Sequence, residues 1–372
     1  MRIERVQVQP VRARRVYRTR IATSPAVEES LCYLVRIEAT GGLVGVGEIS
    51  DVPDTFPGHR EIAAVLEAVL TGRDPYRYEE IGEALGTARL VAARLLDARH
   101  KGARLSLLTC GVETALLDLV ARAAGRPVHD LFGAKRRESV QVSWVAYIRE
   151  AGALPAEIEE KLRQGFTAFK LKVGLNIEED VERVRVFRAV AGDDAHLKLD
   201  ANGAWTPDEA LANLRRLEKY GIAGIETPVP RDDVEGMARV RRESGIPLIE
   251  HVNDVLYALS LLRAGAADVF NISTVGCGGI APARTVAALA AGAGVPILLG
   301  STVELGVGTA AQLHLAASIA GLSWPSDLIG PLLYTDDVIQ EPWQWENGRL
   351  RVPEGPGLGV TLKPHVAGSF AA

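Results

Sequence analysis

Charged and apolar side chains alternate along residues 2–12, the period-two pattern of a half-buried strand. Two further apolar runs, Leu31 to Ile37 and Leu43 to Ile49, flank Gly41-Gly42 and predict a β-hairpin. Between the first strand and this hairpin, the polar stretch Tyr17 to Ser30 predicts a mobile loop, and an irregular piece, Asp51 to Gly58, follows the hairpin. Helical periodicity then covers Arg60 to Leu70, Tyr78 to Ala98 and Leu107 to Ala124, the last closed by Gly125 ahead of Arg126-Pro127. Strands followed by helices predict an α+β unit over residues 1–125.

From Val140 the texture changes. Short apolar runs at 140–147, 167–173, 196–200, 223–226, 247–250, 268–273, 295–300 and 320–324 alternate with helical patterns. They recur every ~25 residues, about one strand plus one helix. One helix displays both its signals: Thr206 as N-cap, Pro207 at the first position, Asp208 and Glu209 in the first turn, and Gly221 at the end. Eight strands and seven helices predict an α/β fold closed into a parallel barrel over residues 126–335. An open doubly wound sheet is the alternative, but Tyr147-Ile148-Arg149-Glu150 after the first strand lacks that fold's glycine-rich turn. Residues 336–372 are turn-rich, carry Trp343 and Trp345, and are expected to dock on the N-terminal unit.

Composition narrows the class. A chain of 372 residues with 47% hydrophobic and 24% charged side chains buries a large core, as a two-domain globular enzyme does. Net charge is −5 and no long basic run exists, which argues against nucleic acid as a partner. The three cysteines, Cys32, Cys110 and Cys277, are far apart, a usage suited to a reducing compartment rather than a disulfide framework. The first residues lack the apolar core of a signal peptide and no apolar run approaches ~18 residues, so the expectation is a cytoplasmic protein with no membrane span.

The chemistry gathers between Phe169 and His251. Asp200, Glu226 and Glu250 end the third, fourth and fifth candidate strands, and in a parallel barrel those ends share one face. Converging carboxylates are costly without a cation. Oxygen ligands with no cysteine nearby in sequence point to Mg²⁺. The plainer alternative is three separate acids capping helices or pairing with arginines. Lys170 and Lys172 alternate with Phe169, Leu171 and Val173, so both face one side of their strand. A neighbouring ammonium and a cation favour the neutral form of such a lysine and make it a general base.

These residues resemble the enolase superfamily, within it the mandelate racemase/muconate lactonizing enzyme-like branch. The resemblance is carried by Lys170-x-Lys172, Leu199-Asp200-Ala201-Asn202-Gly203-Ala204-Trp205, Ile225-Glu226-x-Pro228, Gly278-Gly279-Ile280, Gly300-Ser301-Thr302-Val303-Glu304 with His314-Leu315-Ala316, and the closing segment Glu346 to Val360. It implies a (β/α)₇β TIM-type barrel with an N-terminal α+β capping domain closed by the C-terminal tail. It also implies Mg²⁺ at Asp200, Glu226 and Glu250, a small carboxylate substrate, and assembly as a homo-oligomer. Lys172 would remove the proton α to the carboxylate through an enediolate, with Lys170 beside it. Glu304 would lie near the substrate and Asn202 would support Asp200. The capping loops Tyr17 to Ser30 and Asp51 to His59 would set specificity, with Arg18, Arg20 and His59 as candidate contacts and Tyr147 lining the pocket.

Two departures bear on the reaction. The branch usually carries a lysine on strand six, where this chain has Ser273, and its Asp-Glu on strand five is one step out at Glu250-His251. Without a base on the second face, 1,1-proton transfer is disfavoured. The expected reaction is therefore a one-base elimination of water from a hydroxy acid, acid sugar or hydroxylated imino acid. Ser273, His251 or a water would serve as acid, and His251 doubles as an alternative metal ligand. The alternatives are a racemase, epimerase or cycloisomerase of the same superfamily, a barrel lyase forming a Schiff base at Lys172, and a non-catalytic binding barrel.

Overall fold

The computed structural model describes residues 1–87 and 101–371. Its first unit is a three-stranded antiparallel sheet, β1 (Ile3–Ile21), β2 (Ser24–Ala39) and β3 (Leu43–Ile49), covered by helices α1 (His59–Leu70), α2 (Tyr78–Thr87) and α3 (Lys101–Ala123). Residues 88–98 of the second predicted helix lie outside the described residues. The sheet packs very closely on α3. A Cβ at Gly47 would stand 1.9 Å from the Gly111 carbonyl, and one at Gly45 2.1 Å from that of Ala115.

The expected loop at Tyr17 to Ser30 is instead strand. β1 and β2 stay paired out to Ile21 and Ser24, leaving residues 22 and 23 as the turn. Burial still alternates there, with Ala13, Arg15 and Thr19 inward and Arg14, Val16, Arg18 and Arg20 exposed. Hydrophobicity does not alternate, because two of the inward positions are polar. The buried Arg15 guanidinium is satisfied by Ser30 and by Asp51 at 3.1 Å.

The second unit is the parallel barrel. After the short β4 (Ser139–Gln141) come β5 (Ser143–Ala146), β6 (Ala168–Lys172), β7 (His196–Asp200), β8 (Gly224–Glu226), β9 (Leu248–His251), β10 (Val269–Ile272) and β11 (Ile297–Leu299), hydrogen-bonded in sequence order. The eighth position is not a regular strand. Residues 322–327 bridge the gap: Asp327 N–H donates to Leu299 O, Ser326 N–H to Gln141 O and Ser143 N–H to Ser326 O. Below the mouth the lumen is plugged by Ile249, Val269 and Leu298 with Trp324 packed against them. Among the described residues no helix is long and apolar enough to cross a membrane.

The tail ties the units together. β12 (Trp345–Glu346) and β13 (Arg349–Arg351) add to β4, while Leu358 N–H donates to Asp118 and Arg122 donates to Val360 O on the capping side. Two carboxylates of the capping domain reach barrel helices. Glu48 accepts from the N–H groups of Leu305 and Gly308, and Glu113 from those of Ile280 and Ala281. Both satisfy N–H groups that a helix start leaves free, at Ile280–Gly292 and Gly306–Ser318. Burial, only partly offset by those N–H donors, raises each carboxyl pKa to about 7.

His314 locks the tail from within. Its Nε2 lies 3.1 Å from Leu358 O, and its Nδ1 accepts from His129 N–H. Burial lowers its pKa to about 3, with the charges of His129 and Lys135 adding to the effect and the Leu358 carbonyl opposing it. A histidine held neutral in the fold but titrating near 6.5 when unfolded makes stability fall as pH drops below 6.5 and leaves it flat above. We expect urea unfolding to lose up to about 1.4 kcal/mol per pH unit below 6.5 from this residue. His314→Gln should be less stable at pH 7.5 yet lose less between pH 6.5 and 5.5. An equal loss in both proteins would rule the assignment out.

Candidate active site

Pairing register places the charged side chains. Lys172 is aligned with Asp200, and Asp200 with Glu226, so all three project into the lumen at the C-terminal ends of β6, β7 and β8. Lys170 and Lys198 lie one lumen step lower and are buried. The result is a buried lattice of three ammonium groups and three carboxylates. Lys170 Nζ donates to Glu226 at 3.0 Å and Asp327 at 2.7 Å, and stands 3.4 Å from Asp200. Lys172 Nζ donates to Asp200 at 2.6 Å, and Lys198 Nζ to Asp327 at 2.8 Å and to Pro325 O. The opposite charges set the titration. Burial disfavours the Lys170 ammonium, but Asp327, Glu226 and Asp200 outweigh it and hold its pKa well above the usual range. Burial likewise disfavours the Glu226 carboxylate, but Lys170, His251 and Lys172 hold its pKa far below normal. Lys198 is shifted down, by burial first.

Lys198 and Asp327 were not among the sequence candidates. Lys198 was readable, since Lys198-x-Asp200 repeats the spacing of Lys170-x-Lys172. Asp327 was not, because it lies in the irregular segment that closes the barrel, which has no strand periodicity. These two residues also change the electrostatic argument for a metal. The three lumen acids already have three counter-charges, so a cation is not needed to make their burial tolerable.

The structure does not bring Glu250 to the other acids. On β9, Ile249 and His251 share the lumen side, aligned with Val269 and Asn271, so Glu250 faces the helix layer. There it accepts from Thr227 Oγ1 at 2.9 Å, Arg231 Nε at 3.0 Å and Tyr257 OH at 3.2 Å. Burial raises its pKa, with Arg231 opposing. His251 takes the lumen position instead, its Nε2 2.8 Å from Glu226 Oε1. Asn271 donates to the same oxygen at 3.0 Å. A strand buried on both faces gives no alternation from which to choose between neighbours.

Ser273 stands on the wall opposite Lys172, since β10 is the sixth of eight positions and β6 the second. Its Oγ accepts from Gly276 N–H at 2.9 Å as the N-cap of Thr274–Cys277. Glu304 is buried and taken up by its own loop, accepting from Ser301, from Thr302 N–H and Oγ1, and from Gln312. Asn202 supports Asp200 through its backbone N–H at 2.9 Å. Tyr147 sits at the mouth between Arg15 and Asp51 of the cap and Lys170 and Asp200 of the barrel, and burial raises its pKa to about 12. The Arg20 side chain is exposed and does not enter the lumen. It lies on the exposed face of β1, beside Arg149 and Glu179, while its carbonyl accepts from Ile148 N–H. Asn202, Thr227 and Val303 adopt left-handed φ of 50°, 40° and 57° beside the strand ends, strain that costs about 1–3 kcal/mol each and clusters at functional mouths.

The donors can be tested against a divalent ion. Among the described residues no group of three His, Cys, Asp or Glu side chains is arranged to hold one as it stands. Lysine ammoniums lie against the oxygens an ion would take. In kind the donors do fit: two lumen carboxylates and one imidazole stand on three successive strand ends. The Lys170 ammonium already bridges Asp200 and Glu226 as a cation would.

Comparison with known proteins agrees with this geometry. Residues 3–133 match the family model for the mandelate racemase/muconate lactonizing enzyme N-terminal domain, and residues 153–366 that for the enolase C-terminal domain-like family. The chain is 31% identical to a chloromuconate cycloisomerase of Cupriavidus pinatubonensis, over 91% of this chain and 90% of that one. It is similar to the crystal structure of 2-chloromuconate cycloisomerase from Rhodococcus opacus 1CP, with TM-score 0.89, 28% identity, and coverage of 100% of this chain and 99% of that one. It is also similar to the L-Ala-D/L-Glu epimerase of Bacillus subtilis, with TM-score 0.85, 27% identity, and coverage of 97% and 99%.

The lattice itself is testable. Asp327→Asn leaves the buried Lys198 ammonium without a carboxylate, takes one of three from Lys170, and should cost about 3–5 kcal/mol in urea unfolding. Adding Lys198→Met should return part of that loss. Additive single-variant costs would show that the pair is not coupled.

Proposed function

The chain belongs to the mandelate racemase/muconate lactonizing enzyme branch of the enolase superfamily, and on that premise we propose that it is a cycloisomerase acting on a small unsaturated dicarboxylate. The observation that carries this reading is the one-sidedness of the site. Lys172 stands on one wall of the lumen, and among the described residues the strand end opposite it presents Ser273, whose hydroxyl is engaged as a helix cap. No lysine occurs between Lys219 and Lys363, so the second half of the barrel has none to give. Racemisation and epimerisation need a proton donor and an acceptor on opposite faces of one carbon. Ring closure needs one group only. In an intramolecular conjugate addition, one carboxylate oxygen attacks the distal double bond, the electrons move to the other carboxylate as an enediolate, and a single proton is delivered to its α-carbon.

Lys172 is the proton donor in this reading, or the base in the reverse direction. Asp200 holds its ammonium by a 2.6 Å hydrogen bond. Lys170, kept cationic by Asp327, Glu226 and Asp200, supplies fixed positive charge beside the carboxylate on which negative charge develops. Tyr147 and the inward face of the β1–β2 hairpin cover the mouth and limit water. Asp200, Glu226 and His251 would hold a divalent cation, for which Mg²⁺ is the family's usual choice. When bound it supplies further positive charge for the substrate carboxylate. The same one-sided arrangement supports a second reading, β-elimination of water, which the sequence alone favoured. The activities of the relatives weigh toward ring closure. A Schiff base at Lys172 fits less well, because its ammonium is ion-paired.

The test is a screen of unsaturated dicarboxylates in D₂O with a divalent cation present, read by NMR and mass. The expected product is an isomer of the substrate carrying one deuterium with defined stereochemistry. Loss of water would favour elimination, and label with inversion at the α-carbon would overturn the one-sided reading. Lys172→Ala should lower turnover by about 10²–10⁴-fold, with folding checked by urea unfolding because Asp200 loses its 2.6 Å partner. Undiminished turnover would remove Lys172 from the chemistry.

A further inference from the structure

At the end of β9 a side chain takes a bond that the sheet would otherwise supply. Along the β8 side of the ladder, Ile249 O accepts from Thr227 N–H. β8 stops at Glu226, and Thr227, at a left-handed φ of 40°, turns the chain away. The next carbonyl on that side, His251 O, accepts instead from Arg231 Nη2 at 2.7 Å. The same guanidinium donates through Nε to Glu250 at 3.0 Å. Glu250 is fully buried on the outer face of the strand and also accepts from Thr227 Oγ1 at 2.9 Å. Tyr257, from the helix Val255–Ala264, sets its ring 5.0 Å from the guanidinium and its hydroxyl 2.9 Å from Arg231 O. Glu250 thus anchors Arg231 outside the barrel. Arg231 in turn grips the backbone of the residue whose imidazole stands 2.8 Å from Glu226 inside it.

From this geometry we propose that Arg231 is a positioning residue: it supplies the ladder bond that β8 no longer offers and so aims the His251 ring into the lumen. The proposal rests on the reading that His251 belongs to the site and adds what holds it there. A bond to the His251 carbonyl fixes the peptide plane at the last residue of the strand, where the ladder has ended, and with it the direction of the side chain. The planar, forked guanidinium suits this task, because it reaches a carboxylate and a carbonyl at once, whereas an ammonium is a point charge. Neutralising Glu250 alone does not require the second contact. The Arg231 side chain is 42% exposed and borders a cavity of about 680 Å³ with Asn253, Tyr257 and Gly276, so a small solute can reach its place.

The experiment follows the His251 ring by NMR in the full chain with nitrogen-15-labelled histidine, the signal being assigned by its loss in His251→Gln. The wild-type ring should show an Nε2–H resonance protected from exchange by the Glu226 carboxylate. Arg231→Lys keeps a cation beside Glu250 but does not span both acceptors. It should broaden or split that resonance and speed its exchange with water by about tenfold or more, the worth of one hydrogen bond to a charged group. Arg231→Ala should do the same, and methylguanidinium at millimolar concentration should restore the resonance; the lysine variant decides the matter if the alanine variant does not fold. A His251 resonance unmoved in Arg231→Lys, with only the urea midpoint lowered, would overturn the proposal and leave Arg231 as a stability contact. Adipate, a saturated dicarboxylate that cannot react, should shift the wild-type His251 resonance. A resonance that responds to Arg231→Lys but not to adipate would leave the strap standing and overturn the reading that His251 belongs to the site.

Discussion

Five buried charges and a sixth, half-buried at Lys172, are bound to one another inside this barrel. Lys170, Lys172 and Lys198 project from β6 and β7 into the space that receives Asp200, Glu226 and Asp327. No member could be buried alone without a penalty of several kcal/mol, so each exists there because the others do. Asp327 is central to this balance. It comes from the irregular segment that closes the barrel, and it binds lysines from two adjacent strands at once. Closure of the barrel therefore also completes the charged cluster. An ion entering the mouth must compete with ammonium groups already in place, and a dicarboxylate substrate would bring negative charge to a region with three cations.

Much of this was legible in the sequence. The barrel strands and their order follow from short apolar runs at a near-constant period, and the lysine pair on β6 from strict alternation. What was hidden has a physical reason in each case. The β1–β2 extension was hidden because Arg15 and Thr19 occupy inward positions, so the hydrophobic alternation fails where the structural one persists. The third position on β9 was hidden because both faces of that strand are buried, and the sequence Leu248-Ile249-Glu250-His251 does not say which face is the lumen. Arg20 was misplaced for the first reason and Glu250 for the second. Asp327 lay beyond the last predicted strand, in a stretch whose pairing depends on its two neighbours.

The two departures from the family pattern sit at the strand ends of β9 and β10, side by side. Ser273 removes a charged group from the wall opposite Lys172, and His251 exchanges an oxygen donor for a nitrogen. The β6 side keeps the lysines and their acids at hydrogen-bond distance, while the β9 and β10 side presents His251, Asn271 and Ser273.

The carboxylates of Glu48 and Glu113 have a consequence for how the molecule holds together in time. Each leaves the capping domain to satisfy the first N–H groups of a barrel helix, and the tail returns from the barrel to Asp118 and Arg122 on the cap. Separating the two domains would strand helix starts on one side and buried carboxylates on the other. Hinge opening of the whole cap is therefore a poor route for substrate entry. The β1–β2 hairpin is tied to the barrel side as well, since Ile148 N–H donates to Arg20 O and Thr335 N–H to Arg14 O.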